Sequence, residues 1–177
     1  MYSDEVTLRI YRFIYCLNTI TKNKGNQNFQ ITKYNNLFYW LSRYNKVLEK
    51  EPNFITSLSN KGVALANLGY YQQALNWYDK ALKQVPDDLD MIANKARILG
   101  IELDKYTDSL KLINEYLKKV PDHKGLLCNK EEILEKMGYK DNAVSIKEKL
   151  IKLYSDNYKC GYFKKTSYGD ILGEPFV

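Results

Sequence analysis

Histidine is nearly missing from this sequence, and cysteine is scarce. Its 177 residues include a single histidine, His123, and three cysteines, Cys16, Cys128 and Cys160. Intervals of 112 and 32 residues between the cysteines match neither the short paired spacing of a zinc site nor an even-numbered disulfide framework. One histidine also leaves little basis for a Cys-His nucleophile pair. We therefore expect reduced cysteines, a solvated His123, no cofactor or metal, and no catalytic residues.

Long apolar runs and glycine-rich phosphate loops are absent as well. A membrane-spanning helix needs about 20 consecutive, mainly apolar residues, and Arg9, Arg12 and Asn18 interrupt the most hydrophobic stretch. A secretory signal would place basic residues ahead of its apolar run, whereas residues 3–5 are Ser-Asp-Glu. The sequence thus predicts a cytoplasmic protein that does not cross a membrane.

What the sequence does contain is an internal repeat. Three Asn-Lys pairs recur at intervals of 34 and 35 residues, beginning at Asn60, Asn94 and Asn129. Three prolines keep the same intervals, at Pro52, Pro86 and Pro121. Proline ends a helix, and the Asn or Asp that follows each one can begin the next. Between the prolines, small and apolar residues are spaced as on one face of each of two helices, so each unit is predicted to be a helical hairpin.

Residues 55–88 resemble a tetratricopeptide repeat. The matching positions are Leu58, Gly62, Leu65, Gly69, Tyr71, Ala74, Tyr78, Ala81 and Pro86. Residues 89–122 are a weaker copy with one extra residue near Asp104, and residues 124–157 are a degenerate copy with Glu131 and Lys147 at a small and an aromatic position. The resemblance implies an all-α fold, a right-handed superhelical solenoid of about three antiparallel helix hairpins.

The two ends of the chain complete this predicted single domain of residues 1–177. Residues 4–51 are expected to form an irregular N-terminal helix pair, with helices at 4–21 and 33–51 and a polar loop at 22–30. Arg9 and Arg12 also suit a membrane-surface helix, but two basic residues are few, and we favour capping of the solenoid. The glycines and Pro175 in residues 158–177 predict a non-helical C-terminal tail, which either docks in a groove or straps over the last helix.

The resemblance implies a non-catalytic protein-protein interaction module, an adaptor or scaffold that binds a peptide or partner protein on its concave groove. Carried over position by position, the groove residues are Thr56, Asn60, Val63, Asn67, Asp90, Asn94, Arg97, Asn129 and Glu132. The recurring Asn amides both donate and accept hydrogen bonds, as a peptide backbone requires, although Asn is also simply common at this family position. The family's clamp for a C-terminal carboxylate is not supported, because its basic positions hold Ser59, Val63, Asp90 and Gly125.

Nucleic-acid binding, RNA in particular, is the alternative function. Residues 1–50 carry eight basic and three acidic side chains, which is +5 of the net charge of +6, and tyrosines accompany them, as in surfaces that bind phosphates and bases. Against this reading, 23 Lys, 4 Arg and 16 Asn indicate an overall compositional bias, and Asp90 and Glu132 would repel phosphate. A protein or peptide is therefore the favoured partner, and self-association through exposed hairpin edges is compatible with it.

Overall fold

A computed structural model describes residues 27–155 and 160, with side chains from residue 37 onward. It divides the chain into two compact units, Met1–Pro52 and Asn53–Val177. The single domain of residues 1–177 stays a prediction. The helix predicted at residues 4–21 lies outside the described residues, as does the predicted tail apart from Cys160.

The described part of the first unit is one helix, α1, from Gln27 to Lys50. It begins six residues before the expected start at residue 33, so the predicted loop at 22–30 is wrong from Gln27 onward. No glycine or proline occurs between Gln27 and Lys50, so nothing in the sequence interrupts the helix. Leu37, Leu41 and Tyr44 are buried, and their spacing of four and three residues places them on one helix face.

The second unit contains three antiparallel hairpins. They are α2 (Ile55–Asn67) with α3 (Tyr71–Leu82), α4 (Leu89–Arg97) with α5 (Tyr106–Lys119), and α6 (Lys124–Lys136) with α7 (Lys140–Tyr154). Helices α3 and α4, α5 and α6, and α4 and α6 pack together across hairpin boundaries. The all-α class and the hairpin repeat are confirmed in the described residues, and the right-handed superhelix stays a prediction.

Glycine closes the turn inside the first and third hairpins. Gly69 and Gly138 both have φ of +82°, a conformation that costs other residues energy. In the first turn the Tyr70 N–H donates to the Leu65 carbonyl at 2.9 Å, and the Tyr139 N–H repeats the bond to Leu134 at the same distance. Because two turns 69 residues apart share one geometry, the degenerate third repeat keeps the register of the first.

The second hairpin absorbs its extra residue inside the helix. After Arg97 the chain forms a π-helical segment, Ile98–Glu102, in which the Leu103 N–H donates to the Ile98 carbonyl at 3.0 Å. Asp104 then takes the turn position with φ of +53°. The extra residue predicted near Asp104 is therefore accommodated as a wider π-helical turn at the end of the helix, and it does not lengthen the loop.

Small residues allow close helix contacts in the core. A Cβ atom on Gly62 would lie 3.0 Å from Cε1 of Tyr78, and one on Gly100 would lie 2.4 Å from Cδ1 of Ile133. Ser109, which stands where the family usually has alanine, donates its hydroxyl to the Ala96 carbonyl at 2.6 Å. This internal hydrogen bond explains how a buried polar residue is accommodated at that position.

Glu131 and Lys147 replace Gly62 and Tyr78 in the third hairpin, with the same separation of 16 residues. Burial raises the pKa of Glu131 above its usual value of 4.5, the negative charge of Glu135 raises it further, and Lys147 opposes the shift. Since the folded chain binds a proton on Glu131 more tightly than the unfolded chain does, this group favours folding only at low pH, and its contribution is lost as pH rises above about 4.5.

Replacing this carboxylate by an amide should stabilise the fold. We expect Glu131→Gln to raise the midpoint of thermal unfolding by about 2 °C at pH 7, because the cost of the ionised carboxylate disappears. The gain should shrink towards zero as pH falls through 4.5, because the carboxyl becomes increasingly protonated in both states. Thermal scans of both proteins from pH 4 to pH 8 measure it, with Glu148→Gln, an exposed carboxylate on α7, as the control. A gain that does not depend on pH would contradict this explanation.

A disulfide joins Cys128 on α6 to Cys160, 32 residues later. The expectation that all the cysteines are reduced is therefore wrong for this pair. Cys160 follows α7 in the sequence and yet is bonded to α6, and a sequence interval alone does not predict that pairing.

Side-chain caps mark the start of α4 and α6. Asp88 accepts from the Met91 N–H at 2.9 Å, and Nδ1 of His123 accepts from the Leu126 N–H at 3.3 Å. The His123 side chain is only 19% exposed, so the expectation of a solvated histidine is also wrong. At this hairpin junction the imidazole of His123 caps the N-terminus of α6.

Candidate functional site

The predicted groove residues lie on the first helices of the three hairpins. Thr56, Asn60, Val63 and Asn67 are on α2, Asp90, Asn94 and Arg97 are on α4, and Asn129 and Glu132 are on α6. Thr56 and Asp90 are exposed, Val63, Arg97 and Asn129 are buried, and the other four are half-buried. Six of the nine predicted groove residues are therefore at least partly accessible to solvent, and three are buried.

The repeated asparagines divide into two groups. Asn129 is 1% exposed, and its Nδ2 donates to the Ala93 carbonyl of α4 at 2.7 Å, so this amide joins the second and third hairpins. Asn60 and Asn94 are half-buried, and among residues 37–155 their side chains form no hydrogen bond. Their amides are thus the ones free to meet a ligand.

Arg97 belongs to a charge network that the sequence did not reveal. Its Nη2 lies 3.0 Å from Oε1 of Glu102, and the Tyr71 hydroxyl donates to Oε2 of the same carboxylate at 2.7 Å. This hydrogen bond raises the pKa of Tyr71, and burial raises it further. Glu102 is the last residue of the π-helical segment. The extra residue in the second repeat was therefore the one sequence feature that could have pointed to Glu102. The network links α3 to α4 and balances the charge of Arg97.

The remaining charges of the set are acidic. The carboxylate of Asp90 is 94% exposed, with Oδ1 3.7 Å from Nε2 of His123. Glu132 is half-buried on α6. Because Arg97 is paired with Glu102, the polar groups of the six solvent-accessible groove residues are amides, carboxylates and the Thr56 hydroxyl.

The family comparison agrees with this geometry. The tetratricopeptide repeat model matches residues 56–88, which are α2, α3 and the turn after them, and two further hairpins repeat the same turn positions. Residues 56–88 are therefore a tetratricopeptide repeat. Comparison with curated protein sequences gives no significant match.

Solved structures similar to this chain include several of MamA. One, titled as the crystal structure of MamA, has 17% identity and a TM-score of 0.56 over 64% of this chain and 66% of the other, so the chain spans just under two thirds of its length. MamA from residue 41 to the end, from Desulfovibrio magneticus RS-1, has 17% identity and a TM-score of 0.54 over 85% and 77% of the two chains. At this identity the likeness shows the fold alone.

Two further findings concern the described helices and side chains. None of the described helices combines the length and the apolar character that crossing a membrane requires. Across residues 27–155 and Cys160, no group of three His, Cys, Asp or Glu side chains is arranged to hold a metal ion.

Proposed function

We propose that this protein is a non-catalytic cytoplasmic scaffold that holds an extended peptide or a segment of a partner protein along α2, α4 and α6. Asn60 and Asn94 support the proposal most directly. They occupy the same position in successive repeats, both are half-buried, and their amides form no hydrogen bond in the described part of the chain. An amide side chain offers one acceptor and two donors, which suits the alternating N–H and C=O groups of a peptide backbone.

The charges suggest the character of the partner. The side chain of Asp90 is almost fully exposed, Glu132 is half-buried, and Arg97 is balanced by Glu102 at 3.0 Å. A basic or neutral segment would be attracted to these carboxylates, whereas an acidic peptide or a phosphate backbone would be repelled. The preferred ligand is therefore a peptide with lysine or arginine flanking its backbone contacts. A second copy of the chain is one candidate source.

Two matched double variants test the position of the binding surface. Asn60→Ala with Asn94→Ala removes the open amides of α2 and α4, while Asn76→Ala with Asn142→Ala removes two exposed amides from α3 and α7. We expect the first pair to weaken retention of the partner about tenfold, the loss expected from two hydrogen bonds, and the second pair to leave it unchanged. The measurement is capture from a nuclease-treated lysate, quantified by mass spectrometry for each variant.

The outcomes separate the alternatives. Equal losses in both double variants, or in neither, would place binding away from Asn60 and Asn94. In a parallel capture without nuclease, a retained nucleic acid that is lost steeply as salt rises would support phosphate contacts by the basic residues 1–50 instead. Light scattering of the purified protein shows whether the retained partner is a second copy.

A further inference from the structure

The third hairpin ends in a covalent link to a later part of the chain. Sγ of Cys160 is bonded to Sγ of Cys128, so residue 160 is fixed to α6 although it follows the end of α7. Around the bond lie the buried side chains of Leu127 and Leu150, with Ile146 and Leu117 partly buried beside them. The bond thus fastens residue 160 over the last apolar cluster of the repeat array.

The two sulfur atoms differ in accessibility. Cys128 is 2% exposed, whereas Cys160 is only partly buried. Thiol reactivity depends on access and on thiolate character, so a small thiol or disulfide in solution reaches Cys160 first. Once Cys160 has reacted, Cys128 is already placed to complete or reverse the exchange.

We propose that Cys128 and Cys160 form a reversible thiol-disulfide switch that fastens residue 160 to the third hairpin under oxidising conditions and releases it under reducing conditions. The inference is independent of the binding surface proposed above and takes from that proposal only the cytoplasmic location. In reducing compartments, disulfides that do form are usually transient or redox-sensing, and this tendency favours a switch over a permanent structural link.

Oxidised glutathione, a small-molecule disulfide, serves as the oxidant. The Cys160 thiolate attacks one of its sulfur atoms, the glutathione sulfur-sulfur bond breaks, and one glutathione thiolate leaves. The Cys128 thiolate then attacks the Cys160 sulfur and displaces the second glutathione. Two protein thiols lose two electrons and two protons, and the glutathione disulfide gains them to become two glutathione thiols.

A glutathione titration of the full chain tests reversibility. The protein carries Cys16→Ser so that only the proposed pair reacts, and free thiols are trapped with a maleimide and counted by mass spectrometry. We expect two free thiols in reduced glutathione, none in oxidised glutathione, and a midpoint at mixtures that contain both forms. A bond that stays intact in reduced glutathione while the protein remains folded, or one that never forms in oxidised glutathione, would overturn the proposal.

Hydrogen exchange tests the structural effect. Amides of α7 from Ile146 to Tyr154 should exchange about tenfold faster after reduction, because α7 loses its covalent cover, while amides of α2 should not change. Cys160→Ser should behave as the reduced protein in every buffer, and Cys16→Ser should keep the full response. Equal exchange rates of the α7 amides in the oxidised and reduced states would show that the disulfide does not stabilise α7, and this result would refute the switch.

Discussion

Replacing Tyr78 by alanine should lower the free energy of unfolding of the second unit by about 3–5 kcal/mol. The ring is fully buried and lies so close to Gly62 that a Cβ atom there would be 3.0 Å from Cε1. Removing the ring leaves a cavity between α2 and α3 that neither backbone can fill without moving. Urea unfolding followed by circular dichroism measures the loss, which is a large share of the stability of a small domain.

Tyr78→Phe is the matched control. The Tyr78 hydroxyl is buried without a hydrogen-bond partner among the described residues, and burial raises its pKa. Phenylalanine keeps the ring and removes the unpaired polar group, so its stability should equal or exceed that of the natural protein. If phenylalanine costs as much as alanine, the hydroxyl and not the ring carries the stabilisation.

Gly100→Ala should be the most damaging small substitution, with an expected loss of about 2–3 kcal/mol. The new Cβ would lie 2.4 Å from Cδ1 of Ile133 and 2.9 Å from Oγ of Ser109. Ile133 is fully buried, and the Ser109 hydroxyl is held by its bond to the Ala96 carbonyl, so neither can move aside freely. The same urea titration measures the effect.

Two variants accompany this experiment. Ile133→Val removes the Cδ1 atom that the new methyl group meets, so it should recover part of the loss when it is combined with Gly100→Ala. Gly125→Ala on α6 adds a methyl group 3.3 Å from its nearest neighbour, Cβ of Ala93, which requires a shift of only a few tenths of an ångström, so it should cost much less than Gly100→Ala. A neutral Gly100→Ala would contradict the close approach of the π-helical segment to α6.

Regular spacing made the hairpins predictable. Intervals of 34 and 35 residues between prolines and Asn-Lys pairs reflect a physical requirement, since each hairpin must present the same apolar faces to its neighbours. The start of α1 at Gln27 was missed because polar residues without a breaker fit either a loop or a helix.

The candidate site was predictable only in part. Repeat position predicted that the nine residues lie on α2, α4 and α6. It could not show that the amide of Asn129 donates to the Ala93 carbonyl, while the amides of Asn60 and Asn94 form no hydrogen bond among residues 37–155. Equivalent repeat positions lie in different packing environments. Glu102 was missed because its role depends on the widened helix end that turns it toward Arg97 and Tyr71. Side-chain partners between helices follow from packing, which one-dimensional spacing does not encode.

The link between Cys128 and Cys160 also has a mechanical consequence. It encloses all of α7 in a covalent ring, because the bonded residues are 32 positions apart. A force that pulls on the C-terminal end would be transmitted through the disulfide to α6, and α7 would carry none of it. About 110 Å of chain would then not extend under that force. After reduction the force would act on that length of chain as well. The oxidation state of the two cysteines therefore sets how far this end of the protein can be stretched.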